Sequence, residues 1–113
     1  MIKVALVDDH QLIRTGLRSL LDSDPGLHVI AEASNGAEAL EVLASERADV
    51  VLMDLSMPVM DGVEATARLR ESQPGVRVVV LTSFSDRARV QEAIGAGAIG
   101  YLGTAWRWWL ARR

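Results

Sequence analysis

Three acidic side chains stand where two apolar runs of this chain stop. Val7-Asp8-Asp9-His10 closes the first run, and Met53-Asp54-Leu55-Ser56-Met57-Pro58 closes the third. In a parallel sheet the carboxyl ends of all strands share one edge, where open α/β sheets bind ligands, so Asp8, Asp9 and Asp54 can converge there. Carboxylates brought that close repel one another and hold water tightly unless a cation joins them. The chemistry to expect is therefore that of a cation held by oxygen ligands.

Each of these residues also has a plainer reading. Asp8 and Asp9 suit the first turn of a helix, where acids meet the positive end of the helix dipole. Asp54 alone would pass for a solvated loop acid. What favours a site is the recurrence of acid at a second strand end. Thr82 closes the fourth apolar run and Tyr101 lies near the end of a fifth, so both fall on the same edge, or serve as an ordinary turn residue and a rim aromatic. His10 reads as structural or solvent-facing, and His28 as a strand residue without a partner.

The elements that must position these residues alternate along the chain. Apolar runs and helical periodicities follow one another from end to end, the signature of a βα repeat around a parallel sheet. The first run, Ile2 to Val7, is followed by apolar residues at 13, 16, 17, 20 and 21, one stripe of a helix. Asp24-Pro25-Gly26 forms a turn before a second strand over His28 to Ala33. Asn35 and Glu38 have capping-box spacing for a second helix reaching about Arg47. Val50 to Met53 is continuously apolar, as in a strand covered on both faces. Asp61 and Glu64 start a third helix that ends near Ser72, with a weak stripe of Val63, Ala67 and Leu69. A fourth strand runs from Val76 to Leu81, and a fourth helix through Val90, Ala93 and Ile94 is stopped by Gly95 and Gly97. Ala98 to Leu102 gives a fifth, short strand. A fifth helix should follow, but the chain continues instead as Thr104-Ala105-Trp106-Arg107-Trp108-Trp109-Leu110-Ala111-Arg112-Arg113.

Length and composition fit this plan. A chain of 113 residues makes one domain with a real core. There is no cysteine, which removes disulfides, thiolate metal sites and thiol nucleophiles and suits a reducing, cytoplasmic setting. No stretch is long and apolar enough for a membrane span or signal core. The formal charge of −3 hides an asymmetry, because Arg107, Arg112 and Arg113 lie in the last ten residues with no acid, leaving −6 for the rest. An acidic body is a poor nucleic-acid surface, so no nucleic-acid contact is expected from this chain.

Taken together, Asp8-Asp9, Asp54 with Pro58, Thr82 and Tyr101 resemble the receiver domain of bacterial response regulators. Asp8-Asp9-His10, Arg14-Thr15-Gly16-Leu17 and Gly97-Ala98-Ile99-Gly100-Tyr101-Leu102 are similar to receivers that precede a LuxR-type DNA-binding domain. The resemblance covers residues 2 to about 102. It implies a flavodoxin-like, CheY-like fold: a doubly wound five-stranded parallel sheet in order 2-1-3-4-5, with the fifth helix missing or replaced here. Residues 1–103 would be the receiver domain and 104–113 an atypical tail.

The same resemblance implies that Asp54 accepts a phosphoryl group from a histidine kinase. Mg²⁺ would be bound by Asp9, Asp54 and the Ser56 backbone carbonyl, with Asp8 acting directly or through water; Thr82 would contact the phosphoryl oxygens and Tyr101 would act as a switch. The protein would be a phosphorylation-controlled interaction module of a two-component system rather than a turnover enzyme, regulating transcription within a longer parent. An aspartate-based phosphohydrolase would instead carry Asp-x-Asp after its first strand. One family residue departs: the lysine expected three positions after the strand-five aromatic is Thr104. The only lysine, Lys3, lies roughly 15 to 20 Å from Asp8 at a strand rise of about 3.3 Å per residue. Arg107 is the nearest cation in sequence. The alternative is thus a degenerate or truncated receiver acting as a dimerisation module, with Trp106, Trp109 and Leu110 forming an apolar face for a homodimer or packing back over the sheet edge.

Overall fold

A computed structural model of the chain describes residues 1–82 and 87–102. Nine elements follow in order: β1 (Ile2–Val7), α1 (Gln11–Asp22), β2 (Leu27–Ala33), α2 (Gly36–Ser45), β3 (Val50–Asp54), α3 (Gly62–Ser72), β4 (Arg77–Leu81), α4 (Arg87–Ala96) and β5 (Gly100–Leu102). The strands form one parallel sheet in the order β2-β1-β3-β4-β5, as expected. The expected tail over 104–113, with Thr104, Arg107 and the tryptophans, lies outside the described residues.

Strand alternation explains the two-sided core. Val4 and Leu6 join Leu17 and Val29 in one apolar cluster, against which Ile13 and Leu21 of α1 pack. Ala5 and Val7 point the other way, into a larger cluster with Val51, Met53, Val78 and Val80 of the sheet, Leu43 of α2, Leu69 of α3 and Ala93 of α4. Side chains of successive strand residues leave opposite faces, so a strand covered on both sides must be apolar throughout.

Helix starts follow the sequence signals. Asn35 and Asp61 occupy the N-cap positions of α2 and α3, and their side chains accept hydrogen bonds from the backbone N–H of Glu38 and Glu64, both 2.9 Å. Helix ends and faces differ from expectation in two places. Of the two glycines expected to stop α4, Gly95 lies inside the helix, and Gly97, where φ is +123°, follows its last residue, Ala96. There the Ala98 N–H reaches the Ala93 carbonyl at 2.9 Å and the Gly97 N–H that of Ile94 at 3.1 Å, the paired closure of a Schellman motif. The helix stops where a left-handed residue is required, not at the first glycine. The buried face of α3 is Gly62, Ala65, Thr66 and Leu69 rather than Val63, Ala67 and Leu69. Small residues occupy it because the helix start lies close against the end of β3.

Candidate functional site

Register brings the acids together. Val7 pairs with Met53 across β1 and β3, so the next residues, Asp8 and Asp54, leave the sheet side by side on neighbouring strands. One ligand atom from each of Asp8, Asp9, His10 and Asp54 lies within 4.8 Å of the others. Asp8 is 1 % exposed and Asp54 6 %, whereas the Asp9 side chain is 30 % exposed. Two walls and a rim result.

Neither acid of the pair starts α1: its N-cap position is His10, whose side chain makes no capping hydrogen bond. The turn is closed by Asp8 itself, whose Oδ1 accepts from the His10 backbone N–H at 2.8 Å. Arg14 holds the other side, its guanidinium donating to the Asp8 carbonyl and, through Nε, to Glu32 at 3.1 Å. The Asp8 backbone is thus anchored from β2 and α1. Its carboxylate is less well served: Oδ2 is buried and makes no hydrogen bond among the described residues.

Asp54 is fixed by close backbone contacts. The Ser56 N–H donates to Asp54 Oδ1 at 3.2 Å, turning the chain out of the sheet. The Leu55 carbonyl accepts from the Gly62 N–H at 3.1 Å and from the Arg89 guanidinium at 2.9 Å. Arg89 also pairs with Asp61 at 3.3 Å, so α4 grips both ends of the loop that follows Asp54. At Gly62 the backbones nearly touch, since a Cβ there would lie 2.2 Å from the Asp54 carbonyl oxygen. Between them Val59 has φ +68°, a conformation unfavourable for a β-branched residue.

Thr82 follows β4 on the same edge. Leu81 pairs with Asp54, and the Thr82 N–H donates to the Leu102 carbonyl at 3.0 Å. Tyr101 sits in β5 opposite Val80 and is 59 % exposed. The structure therefore gathers Asp8, Asp9 and Asp54, sets Thr82 beside them on the next strand, and leaves Tyr101 exposed on β5. Lys3 is at the far end of β1, where its backbone N–H and carbonyl bond the side chain and N–H of Asp49.

Three further residues bear on this edge. His10 is solvent-facing as expected, with its side chain 58 % exposed, and its Nδ1 also lies 3.0 Å from Asp8 Oδ1 and 3.1 Å from Asp9 Oδ1. Adjacency to the acidic pair was the available signal. Gly62 carries only a weak sequence signal, its place beside Asp61 at a helix start. Arg89 has no sequence signal, because its reach to Leu55 depends on how α4 lies against the loop.

The donor set fits a hard divalent ion. Three carboxylates, two of them buried, converge without a lysine among the described residues of the cluster, and a buried carboxylate oxygen of Asp8 stays unsatisfied. Burial of such anions is expensive unless a cation meets them.

Comparison with known proteins agrees with this geometry. The family model described as the response regulator receiver domain matches residues 4–104. The chain is 44 % identical over 102 residues to the transcriptional regulatory protein LiaR of Bacillus subtilis (strain 168), covering 90 % of this chain and 48 % of LiaR. It is 42 % identical over 102 residues to the response regulator UvrY of Escherichia coli (strain K12), covering 90 % of this chain and 47 % of UvrY. The chain thus spans about half the length of the curated relatives it matches. Among solved structures, a LuxR-family two-component response regulator from Aurantimonas sp. SI85-9A1 superposes with a TM-score of 0.86 at 34 % identity, over 100 % of this chain and 87 % of that one. The response regulator domain of Thermotoga maritima CheB gives 0.89 at 28 %, over 99 % and 90 %. No described helix is long and apolar enough to cross a membrane.

Proposed function

The chain belongs to the response-regulator receiver family, and from that premise we propose that it is a phosphoacceptor with Asp54 as its nucleophile. The observation that carries the reading is the side-by-side exit of Asp8 and Asp54 from paired strands, one carboxylate held by Ser56 and the other left with a buried oxygen that has no hydrogen bond among the described residues. In the reaction a carboxylate oxygen of Asp54 attacks the phosphorus of a phosphohistidine on a kinase. The P–N bond breaks, an acyl phosphate forms on Asp54, and the departing imidazole takes up a proton.

Mg²⁺ held by Asp8, Asp9, Asp54 and the Ser56 carbonyl would supply the positive charge that lets an anionic nucleophile meet an anionic donor. The chain's own residues do the rest. The Ser56 N–H and the Gly62–Leu55 contact fix the direction of the Asp54 carboxylate, so its attack needs little reorganisation. The Thr82 hydroxyl, at the end of the neighbouring strand, would donate to a phosphoryl oxygen. Tyr101 would exchange its exposed position for an inward one, shifting a population between two surfaces. A histidine kinase is the partner, and in a longer protein the shift would regulate transcription, as the names of relatives such as LiaR suggest.

A second reading has one observation in its favour: Thr104 stands where the family has its lysine. In that case Asp54 would still bind metal but signal poorly, and the chain would act mainly as a dimerisation module. Incubation with acetyl phosphate and Mg²⁺ followed by intact-mass measurement separates the two. The phosphoacceptor reading expects a gain of one phosphoryl group that Asp54→Ala abolishes. No gain in the wild type refutes it.

A further inference from the structure

His10 has no task in the phosphoacceptor scheme, although its ring sits at the acidic edge. Nor does it work as a cap, since its side chain makes no capping hydrogen bond to α1. Its Nδ1 is 3.0 Å from Asp8 Oδ1 and 3.1 Å from Asp9 Oδ1, and all four ligand atoms of the cluster lie within 4.8 Å of one another. Around an ion with bonds of about 2.1 Å, adjacent ligand atoms are about 3 Å apart and opposite ones about 4.2 Å. The four atoms, all within 4.8 Å, come close to one coordination shell.

Those spacings also suit a shared proton, so they do not decide the matter alone. The deciding observation is Asp8: its carboxylate is 1 % exposed, Oδ1 faces His10, and Oδ2 has no hydrogen bond among the described residues. A buried anionic oxygen left so points to a cation. With carboxylates alone the cation would be a hard one, because oxygen ligands suit Mg²⁺, Ca²⁺ and Mn²⁺. An imidazole changes that preference. Nitrogen donors favour the borderline first-row ions, and affinity for mixed nitrogen and oxygen sites rises from Mn²⁺ through Co²⁺ to Cu²⁺.

We propose that His10 contributes an imidazole nitrogen to the Asp8–Asp9–Asp54 cluster, making it a site for borderline divalent ions such as Co²⁺ and Zn²⁺ as well as for the hard ions Mg²⁺ and Mn²⁺. The inference rests on the metal-site reading above. It can be isolated because the sequence holds two histidines and no cysteine, and His28 pairs in register with Lys3 at the opposite end of β1. An imidazole-bound ion at the acidic edge must therefore be bound through His10.

The test uses the whole chain as wild type, His10→Ala and His28→Ala, with Mn²⁺ read by pulsed electron paramagnetic resonance and Zn²⁺ and Mg²⁺ by titration calorimetry. The wild type and His28→Ala should show nitrogen coupling to Mn²⁺ that His10→Ala lacks. Affinity for Zn²⁺ should fall by about tenfold or more in His10→Ala, while affinity for Mg²⁺ changes by less than about twofold. Nitrogen coupling that is absent from the wild type, or that survives in His10→Ala, overturns the proposal, as do equal losses for both ions. If Mg²⁺ binds and Asp54 gains its phosphoryl group while His10→Ala changes nothing, His10 is no ligand and the phosphoacceptor reading stands. If no ion binds the wild type, the metal-site reading fails together with this one.

Discussion

Gly62→Ala should be the most damaging single methyl group that can be added near the site. Its Cβ would fall 2.2 Å from the Asp54 carbonyl oxygen, 2.9 Å from Leu55 Cα and 3.0 Å from the Asp54 carbonyl carbon. All three neighbours are backbone, so no side chain can swing aside. The start of α3 must move from the end of β3 by about 1 Å, in an interior packed as densely as a crystal. Overpacking of this kind costs about 1–3 kcal/mol. The same movement weakens the Gly62 N–H bond to the Leu55 carbonyl, now 3.1 Å, adding about 1 kcal/mol. A loss of about 2–4 kcal/mol from a domain stable by about 5–15 kcal/mol leaves a folded protein that melts roughly 8–17 °C lower. Thermal denaturation followed by circular dichroism measures this, with Gly75→Ala as control, because nothing lies within 4 Å of a Cβ at Gly75. The control should shift the melt by no more than a few degrees. A Gly62→Ala melt that matches the control refutes the close-approach argument. Because the wall displaced carries Asp54, the variant should also lose part of any Mg²⁺-induced rise in melting temperature.

Other perturbations probe separate parts of the same edge. Asp8→Asn removes a buried charge while keeping an oxygen to accept from the His10 N–H; without metal it should melt higher than wild type, and added Mg²⁺ should no longer raise the melt. A lower metal-free melt would show that the Asp8 charge is already compensated. Val59→Gly relieves a β-branched residue at φ +68° and should stabilise the fold by about 0.5–1 kcal/mol, net of glycine's greater chain entropy, in urea denaturation; a lower midpoint contradicts the assigned strain. Asp61→Asn keeps the cap on Glu64 but ends the pairing with Arg89, whereas Asp61→Ala loses both. Asn should therefore cost less than about 0.5 kcal/mol and Ala about 1 kcal/mol more, and equal losses would mean that the cap contributes nothing.

The sequence made the scaffold legible because the scaffold depends on periodic signals. Alternating apolar strands and the caps at Asn35 and Asp61 are local, and a parallel βα repeat leaves few ways to join them. The acids were legible for the same reason, since a strand end is a local event and register follows once the sheet is known. Two features escaped because they are made by contacts between elements. Gly62 matters only because the start of α3 comes within van der Waals distance of the end of β3, and Arg89 only because α4 lies over the loop after Asp54. His10 is solvent-facing as the sequence suggests, its side chain 58 % exposed, and only the fold shows that its Nδ1 also faces both aspartates. A ligand at the mouth of a metal site must be partly exposed, since the ion enters there. Exposure of a histidine beside paired acids is therefore weak evidence against a binding role, and the burial of its neighbour Asp8 is the more telling quantity.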